Sequence, residues 1–347
     1  MPQPTLTDVH VNALLSNLSL MYAQEESAFV ASRVFPIVPV AKQSDRYATY
    51  SRADFNRNLM AKRAPSTESA GGGYRIDTTA TYSCDVWALH RDIDDQIRSN
   101  ADSIFNLDVE ATRWLVNQAL ISREVDWASS FFTTGVWATD WTGVSAGPTA
   151  GQFLQWDNST STPITDIRRL KQAVQLKSGG FRPNTMVMGR PVFDIICDHA
   201  SFIDRVKYGQ TPDGPAKVNM SAMAALFEVD RVLVMDSILN TAGEQAGPNS
   251  GGTDINAGEL NKFIGGASGV DGKGVLLTYT PVAPGLMTPA SGYTFAWTGF
   301  FGAAANGTRI KSFYIDTIAS TRVEMDAAYD QKVVGKEMGA YLTSVIS

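Results

Sequence analysis

From Asn106 to Phe132 the chain reads as one long amphipathic helix, and a rod of that length restricts the possible folds more than any other feature. Asn106 can cap it, with Asp108 and Glu110 in the first turn, where acidic groups complement the helix dipole. Ala111, Trp114, Leu115, Ile121, Val125, Ala128 and Phe132 recur along one face. About 26 residues at ~1.5 Å rise give a spine near ~40 Å long. A spine of that length organises a flat or elongated subunit.

The segment before the spine is equally unusual. A polar arm, in which Leu14, Leu18 and Met21 or Tyr22 recur at helical spacing, ends at Val34-Phe35-Pro36-Ile37-Val38-Pro39, where two prolines force extended backbone. From Tyr47 to Phe55 aromatic and polar residues take turns. Lys62, Arg63, Pro65 and the run Gly71-Gly72-Gly73 interrupt them, and Tyr74 to Trp87 alternates again like a strand. The pattern predicts a long two-stranded excursion with a charged tip and no large apolar face of its own. An isolated hairpin is marginal in water, so its order must come from a partner surface.

The remainder is globular. With 347 residues and 44% hydrophobic content the chain buries a sizeable core, divided between two lobes. Pro163 opens a helix behind Thr162 as its cap, with Ile164, Ile167, Leu170 and Val174 inward and Ser178-Gly179-Gly180 as the stop. Short buried strands at Thr185–Met188 and Arg231–Met235, with helices around Pro191–His199 and Ser221–Phe227, predict an α/β lobe. Thr241–Gly274 reads as an exposed loop holding one strand or turn. Val275–Thr280, Tyr293–Phe300, Arg309–Thr317 and Thr321–Ala328 read as strands, the last two a hairpin across Ile318-Ala319. The fold class is α+β.

Charge and cysteine content exclude several classes. A net charge of −6, with 29 scattered Lys and Arg, offers no basic stripe for sequence-specific nucleic-acid binding. An acidic wall can still enclose DNA, because it lets a duplex slide rather than stick. Cys84 and Cys197 are too few for a disulfide framework and suit a reducing cytoplasm. Met1 to His10 lacks the regions of a signal peptide, and no apolar run reaches the ~18 residues of a membrane span, so no membrane is expected as partner.

No enzymatic motif is complete. Gly143-Val144-Ser145-Ala146-Gly147 spells a nucleophile elbow, but Ser145 needs a strand before it and a helix after it, and its surroundings read as loop on both sides. His199, the one downstream histidine that could serve as its base, is better explained by packing. Gly265–Gly274 has Ala267 and Gly274 where a phosphate loop needs Gly and Ser or Thr. Asp92, Asp94 and Asp95 begin like a calcium loop, but Ile97 stands at its glycine and Ser103 at its bidentate glutamate, so a helix start is expected. His10, His90 and His199 are far apart, and no metal, cofactor or catalytic residue is assigned. Lys62 reads as a charged rim contact, since nothing near it in sequence would desolvate its amine.

The order of elements resembles the major capsid proteins of tailed bacteriophages, the Hong Kong 97 fold shared with encapsulin shells. Phe35-Pro36-Ile37-Val38-Pro39-Val40, Arg63-Ala64-Pro65, Asp92–Ala101 leading to Ala111-Thr112, and Leu120-Ile121-Ser122-Arg123-Glu124 carry the likeness. Pro183-Asn184-Thr185, Asp204–Gly209, Val232-Leu233-Val234, Lys332-Val333-Val334 and Gly339-Ala340-Tyr341-Leu342 continue it, over nearly the whole chain.

The resemblance implies an N-terminal arm at 1–39 and an extended E-loop at 40–82. It implies a P-domain with the spine at 83–160 and 291–335, and an A-domain at 161–290 and 336–347. It further implies a subunit that self-assembles as pentamers and hexamers into an icosahedral head around double-stranded DNA in a bacterial host's cytoplasm. An encapsulin-type compartment is the alternative, and a serine hydrolase using Ser145 the remote one. The short arm leaves no room for a fused scaffolding segment, so a separate scaffolding protein and a portal are expected partners, with a decoration protein as a further one. Some relatives crosslink an E-loop lysine to a neighbour's asparagine. Lys62 is the one counterpart here, and with neither the asparagine nor the acid identified that chemistry is not carried over. Tyr47, Tyr50, Phe55 and Leu59 are the expected apolar contacts on an adjacent subunit, with Arg52, Arg57, Lys62 and Arg63 meeting acidic groups at the rim.

Overall fold

The computed structural model describes residues 23–101, 106–209, 218–243, 259–265, 272–285, 288–300 and 302–347. The helical spacing of Leu14, Leu18 and Met21 or Tyr22 lies outside these. The spine is one helix, Leu107–Phe131, and the Asn106 side chain caps it by accepting from the Val109 N–H at 3.1 Å. Its buried face departs from the expected stripe. Ala111, Leu115 and Ala128 are buried, but Ile121 and Val125 only half so, while Trp127, Arg123 and Glu124 are buried instead. The reason is that the helix serves two sheets in succession, and no single stripe faces both.

The first half of the spine lies on a five-stranded sheet. Its long member, Ser320–Val333, pairs antiparallel with Asp85–Asp94 on one side, and with Thr308–Ile315 and Gly292–Trp297 on the other. Ile37–Val40 closes the sheet in parallel with Gly292–Trp297. Ala111 and Leu115 of the helix meet Ile93, Val323 and Met325, which share one face of adjacent strands. The expected hairpin is present, with Ala319 in the left-handed region (φ 45) at its turn. Asp85–Asp94 continues well beyond the strand expected to end at Trp87. Its first eight residues are all exposed, so burial does not alternate along the added stretch until Ile93.

The second half of the spine lies on a six-stranded sheet. Its order is Arg231–Met235, Thr185–Gly189, Val275–Thr278, Gly339–Thr343, Thr139–Val144, Gln152–Leu154. Strand alternation sends Met186, Met188, Val232, Val234, Leu277 and Leu342 to one face, against Ile167, Leu170 and Val174 of the helix Pro163–Ser178 and Phe202 of the helix Ala200–Gly209. Val187, Leu233, Met235, Leu276 and Tyr341 point the other way, onto Trp127, Ala128 and Phe132 of the spine region and onto Val30–Phe35. Both faces are covered, as expected of strands that read as continuous apolar runs.

Three expectations change. Thr139–Val144 and Gln152–Leu154, grouped by sequence with the spine, pair into the six-stranded sheet of the α/β lobe, through a parallel contact with Gly339–Thr343 that no local pattern announces. Thr162 precedes its helix without a side-chain cap, and the start rests on Pro163. Ala200–Gly209 is a helix absent from the expected elements.

Candidate subunit interface

The excursion is built as two short ladders. Ser44–Arg46 pairs antiparallel with Thr81–Ser83, and beyond it Thr49–Tyr50 pairs with Ile76–Asp77. Arg52–Phe55 then makes one helical turn. At the root, Tyr82 stacks on Phe295 with centroids 4.6 Å apart, and Tyr47 lies 5.7 Å from the same ring. Tyr47 is thus committed to its own subunit's core, with Tyr82, Cys84, Ala290 and Tyr293.

The outer ladder holds together differently. Tyr50, Phe55 and Tyr74 form an aromatic triangle with centroid separations of 6.0, 5.8 and 5.2 Å. Beneath it Asp54 accepts from the Arg75 backbone N–H at 3.2 Å and from Arg75 Nε at 2.9 Å, with Arg57 Nη2 at 3.7 Å. These bonds, the Arg75 side chain first, hold the Asp54 carboxyl down to about 2. Among the described residues the triangle stays open: Phe55 is 60% exposed and Tyr74 58%, and Met60 further along the excursion is 94% exposed. Such a cluster of aromatic and thioether groups is the composition of an interface core rather than of a solvated loop.

The expected contact residues therefore separate. Tyr50, Phe55 and Leu59 are exposed at the outer end, and Lys62 and Arg63 are exposed with them. Arg63 Nε donates to the Thr67 carbonyl at 2.5 Å and so stiffens the turn at the tip. Arg57 serves Asp54. Arg52 reaches Glu337 of its own chain at 3.5 Å, and beside it Asn56 Nδ2 donates to the Gly179 carbonyl at 3.3 Å, so one flank of the excursion rests on the end of the helix Pro163–Ser178. Sequence reasoning missed Tyr74, Ile76 and Met60. The alternation from Tyr74 onward marked a strand, but not which side of it would lack a second layer.

The sites weighed as enzymatic resolve into structure. A strand, Thr139–Val144, does precede Ser145, against the expectation of loop on both sides, but after Ser145 come a turn and then the strand Gln152–Leu154, so no helix supplies oxyanion amides. Gly143 has its own reason to be glycine, because a Cβ there would sit 2.0 Å from the Ser344 carbonyl oxygen. His199 is buried, its Nε2 3.1 Å from Ser161 Oγ and its Nδ1 2.7 Å from Ser201 Oγ. Asp94 caps the helix Asp95–Asn100, and Asp92 pairs with Arg322 at 2.7 Å. Of the Gly265–Gly274 run, 266–271 lie outside the described residues. Among the described residues no three His, Cys, Asp or Glu side chains converge as metal ligands, and no helix is long and apolar enough to cross a membrane.

The whole chain superposes on solved phage-related and shell proteins. A phage-related protein of Bordetella bronchiseptica RB50 superposes with a TM-score of 0.62 at 18% identity, covering 93% of this chain and 94% of that one. The capsid of cyanophage P-SCSP1u gives 0.55 at 9% identity, over 99% and 95%. A holo-encapsulin complex from Synechococcus elongatus PCC 7942 gives 0.55 at 10% identity, over 100% and 98%. The fold is therefore that of a capsid-type shell subunit. In sequence, the chain is 23% identical to the major capsid protein of Burkholderia phage BcepMu, over 90% of this chain and 91% of that one. It is 24% identical to the major capsid protein of Pseudomonas phage JBD67, over 67% and 71%. No protein-family model matches. Over most of its length the chain is thus similar to phage major capsid proteins, which are structural proteins of the virion and not enzymes.

Proposed function

We propose that the chain assembles as pentamers and hexamers into an icosahedral phage head that encloses double-stranded DNA. Assembly takes place in the bacterial cytoplasm with a separate scaffolding protein, a portal and a decoration protein as partners. In this reading 1–39 is the arm, 40–82 the E-loop, the five-stranded sheet with the spine the P-domain, and the six-stranded lobe the A-domain. The observation that carries it is the aromatic triangle Tyr50–Phe55–Tyr74, ordered within the excursion but uncovered, on a chain whose sequence relatives are phage major capsid proteins. Phe55, Leu59 and Tyr50 bury against an adjacent copy, and Lys62 and Arg63 meet acidic groups at the edge of that contact. The acidic balance of the chain suits a wall that holds DNA without gripping it.

An encapsulin-type compartment is the second reading, favoured by the Synechococcus neighbour. Electron microscopy of the purified protein tests both. Closed shells with five-fold vertices are expected, and dispersed compact monomers at high concentration would overturn the proposal. Shells that form around a co-expressed cargo enzyme, and that never appear filled with DNA in infected cells, would turn it to the second reading.

A further inference from the structure

The spine helix buries a carboxylate that neither catalysis nor the excursion's contact accounts for. Glu124 is 1% exposed, inside the core shared by the spine, the six-stranded sheet and the segment Val30–Phe35. Its oxygens accept from the Val30 N–H at 3.0 and 3.1 Å and from the Ala31 N–H at 2.9 Å. These bonds tie the backbone that leads into the first strand, Ile37–Val40, to the middle of the spine. About two turns earlier on the spine, Asn117 Oδ1 accepts from the Gln24 N–H at 3.2 Å, so the chain leading into the segment is tied to the helix at two levels.

What distinguishes Glu124 is the absence of a cation at its side among the described residues. On the segment it holds, Glu25 and Glu26 are exposed, and Arg33 turns to the Ser27 carbonyl at 3.4 Å. On its own helix Arg123 lies over the Tyr329 ring, 5.0 Å from the centroid, and Asp126 accepts from the Tyr329 hydroxyl at 3.0 Å. From the six-stranded sheet Arg231 donates to the Arg33 carbonyl at 2.9 Å, and Tyr341 contributes a phenol to the same core. Burial therefore dominates. It pushes the Glu124 carboxyl up to about 7, and the two backbone amides pull it only part of the way back.

We propose that Glu124 is a proton-controlled latch that holds the segment Val30–Phe35 on the spine when neutral and lets it open more readily as the pH rises. The direction comes from linkage. The closed state, with the carboxyl buried, binds the proton more tightly than an open state, in which water solvates the carboxylate and the ordinary value of 4.5 returns. Between those two values rising pH favours the open state, although the carboxylate form accepts the hydrogen bonds. Desolvation outweighs them, as it does for other buried carboxylates without a cation.

The test is amide exchange of Val30 and Ala31 in the full-length chain, corrected for the intrinsic pH dependence of exchange. The opening equilibrium is expected to rise by up to about tenfold per pH unit between about 4.5 and 7, then to level off. Glu124→Gln keeps an oxygen acceptor without the titration and should flatten the profile. A flat wild-type profile overturns the proposal, as does a slope that Glu124→Gln leaves in place. Should Glu124→Gln not fold, Glu25→Gln and Glu26→Gln decide alongside the wild-type profile. The slope must survive both, and its loss in either assigns the titration elsewhere and overturns the latch.

Discussion

The helix-covered face of the six-stranded sheet and the outer end of the excursion are built from the same kinds of side chain and end in opposite states. Leu170, Met186, Met188 and Phe202 are all 0% exposed, because a layer of helices lies on the strands. Tyr50, Phe55 and Tyr74 touch one another as closely as core aromatics do, yet remain open on one side. Burial is thus decided by whether the topology supplies a second layer, not by composition. Where it does not, the proposed adjacent copy would be the second layer.

The largest effect that could break this contrast lies in the lobe. Phe202→Ala should cost the isolated subunit about 3–5 kcal/mol in equilibrium denaturation, the range for truncating a fully buried aromatic. A loss under about 1 kcal/mol would mean that the covered face is no more essential than the open one. Next comes removal of Asp54 to Gly72. Shell yield should collapse while the subunit's denaturation midpoint moves little, and a large drop in that midpoint would place the excursion in the subunit's own core. Phe55→Ala sharpens the contrast on a single residue. Subunit stability is expected to change by no more than about 0.5 kcal/mol, as for exposed positions, with shell yield falling measurably. Unchanged yield would show that the triangle faces solvent in the shell as well.

The smallest effect concerns pH. The Asp54 carboxyl is held down to about 2 from an ordinary value of 3.8, so its support of the outer ladder is fully present above 3.8 and is lost as the pH falls through about 2. Amide exchange at Arg75, whose N–H bonds Asp54, should therefore speed up in acid, after correction for intrinsic rates, and Asp54→Asn should show the faster exchange already at neutral pH. Equal protection of Arg75 in the two proteins at neutral pH would separate the ladder from its ion pair.

Much of the fold was legible in the sequence. Helical spacing gave the spine almost to the residue, and short apolar runs bounded by turn residues gave three of the six strands of the six-stranded sheet. The continuation of the strand Asp85–Asp94 past Trp87 was not legible because it pairs without burying alternate side chains. The seating of Thr139–Val144 beside Gly339–Thr343 joins positions some two hundred residues apart, and local periodicity carries no information about it. Within the excursion, residue types marked the segment as a candidate contact but could not divide it. Tyr47 and Tyr50 look alike in sequence, and only Phe295, supplied from a distant strand, makes one of them a root and the other an open surface. Arg123 and Glu124 stand outside the apolar stripe read from the sequence; their burial results from two sheets closing over the same rod.

That shared rod has a mechanical consequence. A helix of 25 residues whose first half is clamped into one sheet and whose second half is clamped into another is a beam fixed at both ends. Helices bend only gently unless a proline, a bulge or an inserted group breaks the ladder, and Leu107–Phe131 contains no proline. A load applied to the five-stranded sheet is carried along the beam into the α/β lobe. The two lobes should accordingly yield together, at one threshold force, rather than one after the other.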